Sequence, residues 1–442
     1  MRVLMFGWEF PPHIAGGLGT ACEGIVKGLA YNGVESIFVM PSASGDEDQS
    51  ATRIINASDV AVENFTGTVD EFLDKVKFIH IDSNLIPYAD PEEFSKIVED
   101  ERARQVKDFR ISFGQKYSFS GKYGANLLEE VARYAMVGGT IAMQHKDEFD
   151  IIHAHDWLTY LAGIAAKELT GKPLVVHVHA TSFDRGTDDM VDSRVYAIER
   201  RGMEAADRVV TVAPDGAKRL GRLGNRNVRV VYNGFDHNDD ASSPVALPDA
   251  FTITYLGILS KIQNPENLWE AIGELVKEDP GFSKDLKINM IGQIDSSVVN
   301  AIDKHGLSQH VTYSPYIPHD QVSAVHRCSS VLLLLLMPDS EPRAKGLLTG
   351  KLFEYLASGR PILCIGPEDG DAAKIIAEAQ AGTTIRFEDK EKIKEMVKSH
   401  YRKYLVNELP IKVNAAAERY SRRALAGEYA DLLEKTTKTP TK

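Results

Sequence analysis

Short runs of aliphatic and β-branched residues alternate with longer amphipathic stretches from one end of the chain to the other. In the first half these runs predict strands at 2–7, 35–40, 76–82, 150–154, 174–179, 208–212 and 228–232. In the second half they predict strands at 252–257, 287–292, 311–314, 331–337, 361–365 and 383–387. Strands that alternate with helical patterns are the mark of βα units and mostly parallel sheets. The predicted class is therefore α/β, with two Rossmann-like doubly wound parallel-sheet domains.

The rhythm breaks in two places. Residues 236–250, DHNDDASSPVALPDA, have neither helical nor strand periodicity and read as a linker. Residues 83–122 carry the charged run EDERARQVKDFR and several aromatics, and read as a helical insertion. The expected organisation is an N-terminal domain over 1–235 with the insertion 83–122, the linker 236–250, and a second domain over 251–410. A C-terminal helix within 411–442 returns to the first domain.

A length of 442 residues agrees with two cores, because one core seldom organises so long a chain. The formal charge is −12, from 63 acidic against 51 basic side chains, so the overall field repels polyanions and nucleic acid is not an expected partner. Only Cys22, Cys328 and Cys364 are present, with no CxxC spacing, which argues for a reducing compartment and against a disulfide framework or a zinc site. The opening MRVLMFGWEFPP reads as a first strand and loop, its apolar run being too short for a signal sequence. The longest uncharged apolar run, 331–338, is far below the about 20 residues of a membrane span. No transmembrane segment is expected, and the expected location is the cytoplasm.

Three segments could carry chemistry. The loop PPHIAGGLGT after the first strand has adjacent glycines, Gly16 and Gly17, that let backbone approach a ligand closely. The helix behind them favours an anion such as a diphosphate, although the same glycines also suit a plain strand-to-helix turn. The second segment, FDIIHAHDWLT followed by KPLVVHVHATSFDRG, places histidines at the carboxyl ends of two predicted strands, where open α/β sheets gather ligand-binding groups. His153 and His177 alternate with His155 and His179, and one of each pair is expected to enter the packing while its mate faces a cleft. His179 is the candidate catalytic group, and His155 with Asp156 are the acceptor-side candidates.

The third segment is RAKGLLTGKLFEYLASGRPIL, 343–363. Thr349 is expected to cap a helix starting near Gly350, whose free backbone donors suit a phosphate, with Lys345 and Lys351 close by. Glu354, one turn further in, is placed to accept from ribose hydroxyls. A capped helix with solvated lysines would show the same pattern.

The order of GGL loop, HAHDW, HVHAT, VVYNGFD and KLFEYLASGRPIL resembles the retaining, nucleotide-sugar-dependent glycosyltransferases of the two-Rossmann (GT-B) type. The first half is similar to the glycogen and starch synthase branch, the second to bacterial polysaccharide glycosyltransferases. That division is also what a recombined chain would show. The resemblance implies a nucleotide-diphosphate sugar donor bound between an acceptor-side first domain and a donor-binding second domain, a carbohydrate acceptor, and no cofactor or metal. It places Gly16 and Gly17 at the donor diphosphate, His179 beside the anomeric carbon, and Glu354 on the nucleotide ribose.

Several positions depart from the family pattern. The first glutamate of the paired motif falls on Gly346, the diphosphate-binding arginine and lysine on Ile258 and Gln263, and the lysine before the glycine pair on Ile14. Lys261, Lys345 and Lys351 are the replacement cations to consider. A second reading, a sugar-nucleotide-binding protein without catalysis, follows from the same departures. The aromatics of the insertion, Tyr88, Phe94, Phe109, Phe113, Tyr117 and Phe119, could stack on an acceptor sugar or simply pack the insertion down.

Overall fold

The structure, a computed structural model, describes residues 1–13, 17–62, 114–122, 127–181, 193–224, 228–236, 245–341 and 343–438. The predicted strand at 76–82, Gly16, Ile14 and most of the 83–122 insertion lie outside these residues. The chain divides into two compact units, one made of Met1–Val212, Gly216–Tyr232 and Leu425–Lys442, the other of Ala213–Asp215 and Asn233–Ala424.

The first unit is built on strands β1 (Arg2–Phe6), β2 (Glu35–Met40), β3 (Arg53–Asn56), β4 (Ile151–His155), β5 (Leu174–Val178), β6 (Arg208–Thr211) and β7 (Val228–Val230). All neighbours pair parallel, in the order β3-β2-β1-β4-β5-β6-β7. Helices on the faces of such a sheet cover both sides, so central strands are apolar throughout; Val3, Leu4, Met5 and Phe6 of β1 are all fully buried. The short strand β3 was not anticipated, because four residues, RIIN, are too few to show a period.

The second unit holds β8 (Phe251–Leu256), β9 (Leu286–Ile291), β10 (Val311–Ser314), β11 (Val331–Leu335), β12 (Ile362–Ile365) and β13 (Gly382–Ile385). They too pair parallel, in the order β10-β9-β8-β11-β12-β13. Its core is separate from the first and centres on Phe251, Trp269, Leu333 and Leu363.

The last helix, Arg422–Thr437, contributes Leu425, Tyr429 and Leu433 to the core of the first unit. Tyr117 and Phe119, the described aromatics of the insertion, also pack on that core, and Phe119 meets Tyr134 edge-on at 6.1 Å. No described helix is long and apolar enough to cross a membrane.

Strand order locates the functional ends of both sheets. In each, the chain runs outward on one side and then returns to the other side of the first strand, which makes switch points between β1 and β4 and between β8 and β11. Helices leave in opposite directions there, opening a crevice beyond the carboxyl ends of the strands. Every described candidate residue of the sequence follows one of these strands or a close neighbour.

Candidate functional site

At the first switch point, β1 leads to the helix Gly17–Tyr31 and β4 to the helix Trp157–Thr170. A Cβ placed on Gly17, the first residue of that helix, would meet nothing within 4 Å among the described residues. Buried Glu9 accepts the backbone N–H of Gly19 at 3.1 Å. One of the helix's unpaired first-turn donors is thus satisfied by a carboxylate, which the helix dipole also favours.

The histidines correct one expectation. Residues two apart on a strand project to the same face, so neither pair divides between packing and cleft. The rings of His153 and His155 lie 4.0 Å apart, and those of His177 and His179 lie 4.3 Å apart. His155 and His177 are register partners on neighbouring strands, and the four rings form one cluster. Nδ1 of His155 and Nε2 of His179 share a hydrogen bond of 3.0 Å. Burial, reinforced by the neighbouring histidines, holds His153, His155 and His177 well below the usual histidine range, so these rings are neutral. One ring nitrogen from each of the three lies within 4.8 Å of the others, the arrangement among the described residues that could hold a metal ion.

Asp156 terminates β4 in an unusual conformation, with φ at 55°. Its Oδ1 accepts the backbone N–H of His179 at 2.7 Å. Positive φ at a residue other than glycine is costly and is kept where surroundings enforce it, often at functional positions. Here the twist turns the carboxylate to the end of β5, where it fixes the backbone that carries His179. His155 is fully buried, whereas His179 is partly exposed.

At the second switch point β8 ends in Gly257, with φ at 128°, a backbone region that favours glycine. A Cβ on Gly257 would fall 2.5 Å from Cε of Lys351. The lysine fills the space that the missing side chain leaves, at the start of the helix Gly350–Ser358. Its Nζ donates to Oη of Tyr255 at 2.9 Å and stands 4.5 Å from the centre of that ring. Burial pulls the Lys351 ammonium down to about 8, against an opposing pull from the Glu354 carboxylate.

Thr349 occupies the N-cap position, yet its hydroxyl does not cap the helix, and its buried Oγ1 has no partner among the described residues. Lys345 is ion-paired at the surface with Asp369 at 2.6 Å. Lys261 is exposed in a short turn after β8. Gln263 is committed to local structure: Ser260 Oγ donates to its Oε1 at 3.0 Å, and its Nε2 donates to the carbonyl of Leu335 at 3.1 Å. Ile258 is 62% exposed, an apolar side chain at the rim of the crevice. The structure therefore gathers Gly257, Thr349, Gly350 and Lys351 around one helix start. Tyr255 and Glu9 were not legible from the sequence, since nothing in local pattern marks their partners.

Residues 16–234 match a family model described as glycosyl transferase 4-like domain. D-inositol 3-phosphate glycosyltransferase 1 of Catenulispora acidiphila is 23% identical over 57% of this chain and 64% of its own length, so the match spans less than two thirds of that relative. Glycogen synthase of Mycobacterium tuberculosis is 22% identical over 87% of this chain and 82% of its own. Among solved structures, sucrose-phosphate synthase of Thermosynechococcus elongatus superposes with a TM-score of 0.58 at 13% identity, covering 98% of both chains. HepE of Anabaena, in complex with UDP and glucose, superposes with a TM-score of 0.55 at 14% identity, covering 98% of this chain and 100% of that one. At such identities the structures speak for the fold, and they agree with the two parallel sheets and their switch points. Residues 16–234 carry a glycosyl transferase 4-like domain, and the two parallel sheets have the fold of the GT-B glycosyltransferases.

Proposed function

We propose that the protein is a retaining hexosyltransferase that moves a sugar from a nucleotide-diphosphate sugar to a glycan or other carbohydrate acceptor. The observation that carries this reading is the helix start at 349–351, where a buried ammonium, an unpartnered hydroxyl and free backbone donors converge beside Gly257. Such an arrangement suits a diphosphate, whose charge grows as the sugar leaves. In this reading the second unit binds the nucleoside diphosphate, Glu354 holding the ribose and Lys351 the phosphates. Lys345 and Lys261 are the further cations, and Lys345 must leave Asp369 to serve. In the same reading Gly16 and Gly17 serve the donor, His179 is the catalytic group beside the anomeric carbon, and His155 and Asp156 are on the acceptor side.

The bond from the anomeric carbon to the diphosphate oxygen breaks as the acceptor hydroxyl attacks from the same face. The acceptor proton passes to the departing diphosphate. The protein's task is then to stabilise leaving-group charge, which ammonium groups and backbone donors supply without a metal at the diphosphate. HepE is described with UDP and with UDP-glucose, which makes a uridine diphosphate sugar the first donor to try.

Two positions favour a second reading, a sugar-nucleotide-binding protein without transfer. Ile258 offers no charge, and Gln263 is tied to Ser260 and Leu335. Incubation with UDP- and ADP-sugars and a panel of glycan acceptors separates the two readings. Release of nucleoside diphosphate supports transfer; tight binding with no release under any acceptor supports the second reading.

A further inference from the structure

The four-histidine cluster contains more unpaired nitrogen than a buried site ordinarily tolerates. Nδ1 of His153, Nε2 of His155 and both ring nitrogens of His177 are buried without a partner among the described residues. Buried polar atoms are almost always satisfied, because one left unpaired keeps the full cost of losing its water. The nitrogens that do have partners define an outer ring. Nε2 of His153 meets Oη of Tyr429 at 2.6 Å, and Nδ1 of His155 meets Nε2 of His179 at 3.0 Å. Each of these two imidazoles thus turns one nitrogen outward to a hydrogen bond and keeps the other inside with nothing to bind.

We infer that His153, His155 and His177 form a buried tris-histidine site for a zinc-class divalent cation. A neutral imidazole has one N–H and one lone pair, and Oη of Tyr429 and Nε2 of His179 can each accept from the outward nitrogen, the tautomer that leaves the inward lone pair for a cation. Ligating histidines typically hand their other nitrogen to an oriented partner in this manner. Tyr429 plays that part for His153 and His179 plays it for His155. Three imidazoles with no carboxylate among them select zinc, cobalt, nickel or copper over magnesium and calcium, which take oxygen ligands. Buried Asp156, the residue after His155, places a carboxylate beside the cluster as countercharge.

The distances allow it. One ring nitrogen from each of the three histidines lies within 4.8 Å of the others. Around tetrahedral zinc, ligand nitrogens stand roughly 3.4 Å apart, so the rings, now 24–49° apart in plane, would have to turn until their nitrogens converge on one point. The cysteine spacing that argued against zinc has no bearing here, because the ligands come from two neighbouring strands with Tyr429 on the last helix behind them. The cation would join β4, β5 and the outer hydrogen bonds into one framework, and it would fix the lone pair of His179 through His155.

The test uses the full chain, purified without a metal column. Zinc content is measured as isolated, and Co2+ is then titrated into chelator-treated protein while its visible d–d bands and the thermal midpoint are followed. Stoichiometric binding, absorption typical of nitrogen ligands and a raised midpoint are expected. His177→Gln is expected to abolish all three. Tyr429→Phe, outside the ligand set, is expected to fold and to weaken Co2+ binding ~10–100-fold. A wild-type chain that takes up no Co2+ overturns the site, as does uptake with affinity unchanged in both His177→Gln and Tyr429→Phe. A Tyr429 with only a packing role would lower the midpoint of its variant and leave the Co2+ affinity intact.

Discussion

The carboxylate of Asp156 accepts the backbone N–H of His179 at 2.7 Å, and Asp156 itself holds φ at 55°. The first residue after β4 thereby sets the backbone just past β5. Asp156→Ala removes the acceptor from a buried position and is expected to lower turnover by ~100-fold, the usual consequence of moving a reacting group by about 1 Å. Donor affinity should change little. Asp156→Asn keeps an acceptor oxygen for the His179 N–H, so it should recover most of the rate. Nucleoside-diphosphate release separates kcat from KM; an equal loss in both variants would show that the carboxylate does more than position His179.

His179 and Glu354 divide by role. For His179→Ala, near-normal UDP binding with much slower transfer is expected, because the ring is assigned to the anomeric centre. For Glu354→Ala, UDP affinity should fall ~10-fold or more with the thermal midpoint unchanged, the loss expected when a charged hydrogen-bonding partner is removed. Calorimetric titration with UDP decides both, and unaltered affinity in Glu354→Ala would remove that residue from the site.

Lys351 gives the site a pH dependence. Burial holds its ammonium at about 8, so the free protein loses that charge as pH rises past this value. A bound diphosphate favours the protonated lysine, and UDP affinity should therefore fall with rising pH above about 8, by up to ~10-fold per pH unit. Lys351→Gln should bind more weakly and lack this slope. Stability moves the other way: between about 8 and the ordinary lysine value of 10.5 the unfolded chain binds more protons, so unliganded wild type gains stability as pH rises through that interval. UDP titrations and urea unfolding across pH 7 to ~10 check both signs.

Gly257 and Lys351 share one volume. Gly257→Ala adds a methyl 2.5 Å from Cε of Lys351 and imposes φ of 128° on a residue with a Cβ. The backbone strain is of order 1–3 kcal/mol, and the lysine must also leave its place over Tyr255. A lower midpoint and loss of UDP binding are expected. In the double variant Gly257→Ala/Lys351→Ala the clash is gone and only the backbone cost remains, so the two effects should be less than additive in a thermal-unfolding cycle.

The sequence carried the α/β class and the parallel sheets, because central strands such as VLMF at 3–6 and VLLLL at 331–335 are buried on both faces and read as continuous apolar runs. It carried less of the edges, where RIIN at 53–56 is too short to show a period. Candidate site residues announced themselves where chemistry and strand end coincide, as at HAH and HVH. Their orientation was misjudged by taking residues two apart as facing opposite ways. Tyr429 and Tyr255 stayed hidden for another reason: Tyr429 reaches His153 across 276 positions and Tyr255 reaches Lys351 across 96, and such pairings exist only once the sheet is assembled.

Ile258 and Gln263 replace two cations of the family pattern, but the structure separates them. Ile258 is 62% exposed, so Ile258→Arg should leave the stability within ~0.5 kcal/mol of wild type. A guanidinium there can meet the diphosphate in bidentate fashion, and UDP affinity should rise ~10-fold or more if the phosphates lie where Lys351 points. Gln263→Lys is different, because the lysine has no acceptor for Ser260 and cannot reproduce both contacts of the amide. It should lower the midpoint, loosening the turn at 261–263, and gain less affinity than Ile258→Arg. Side-by-side UDP titration and thermal unfolding of the two variants provide the check. If Ile258→Arg binds UDP no better than wild type, the diphosphate does not approach the end of β8, and Lys351 loses its assigned partner.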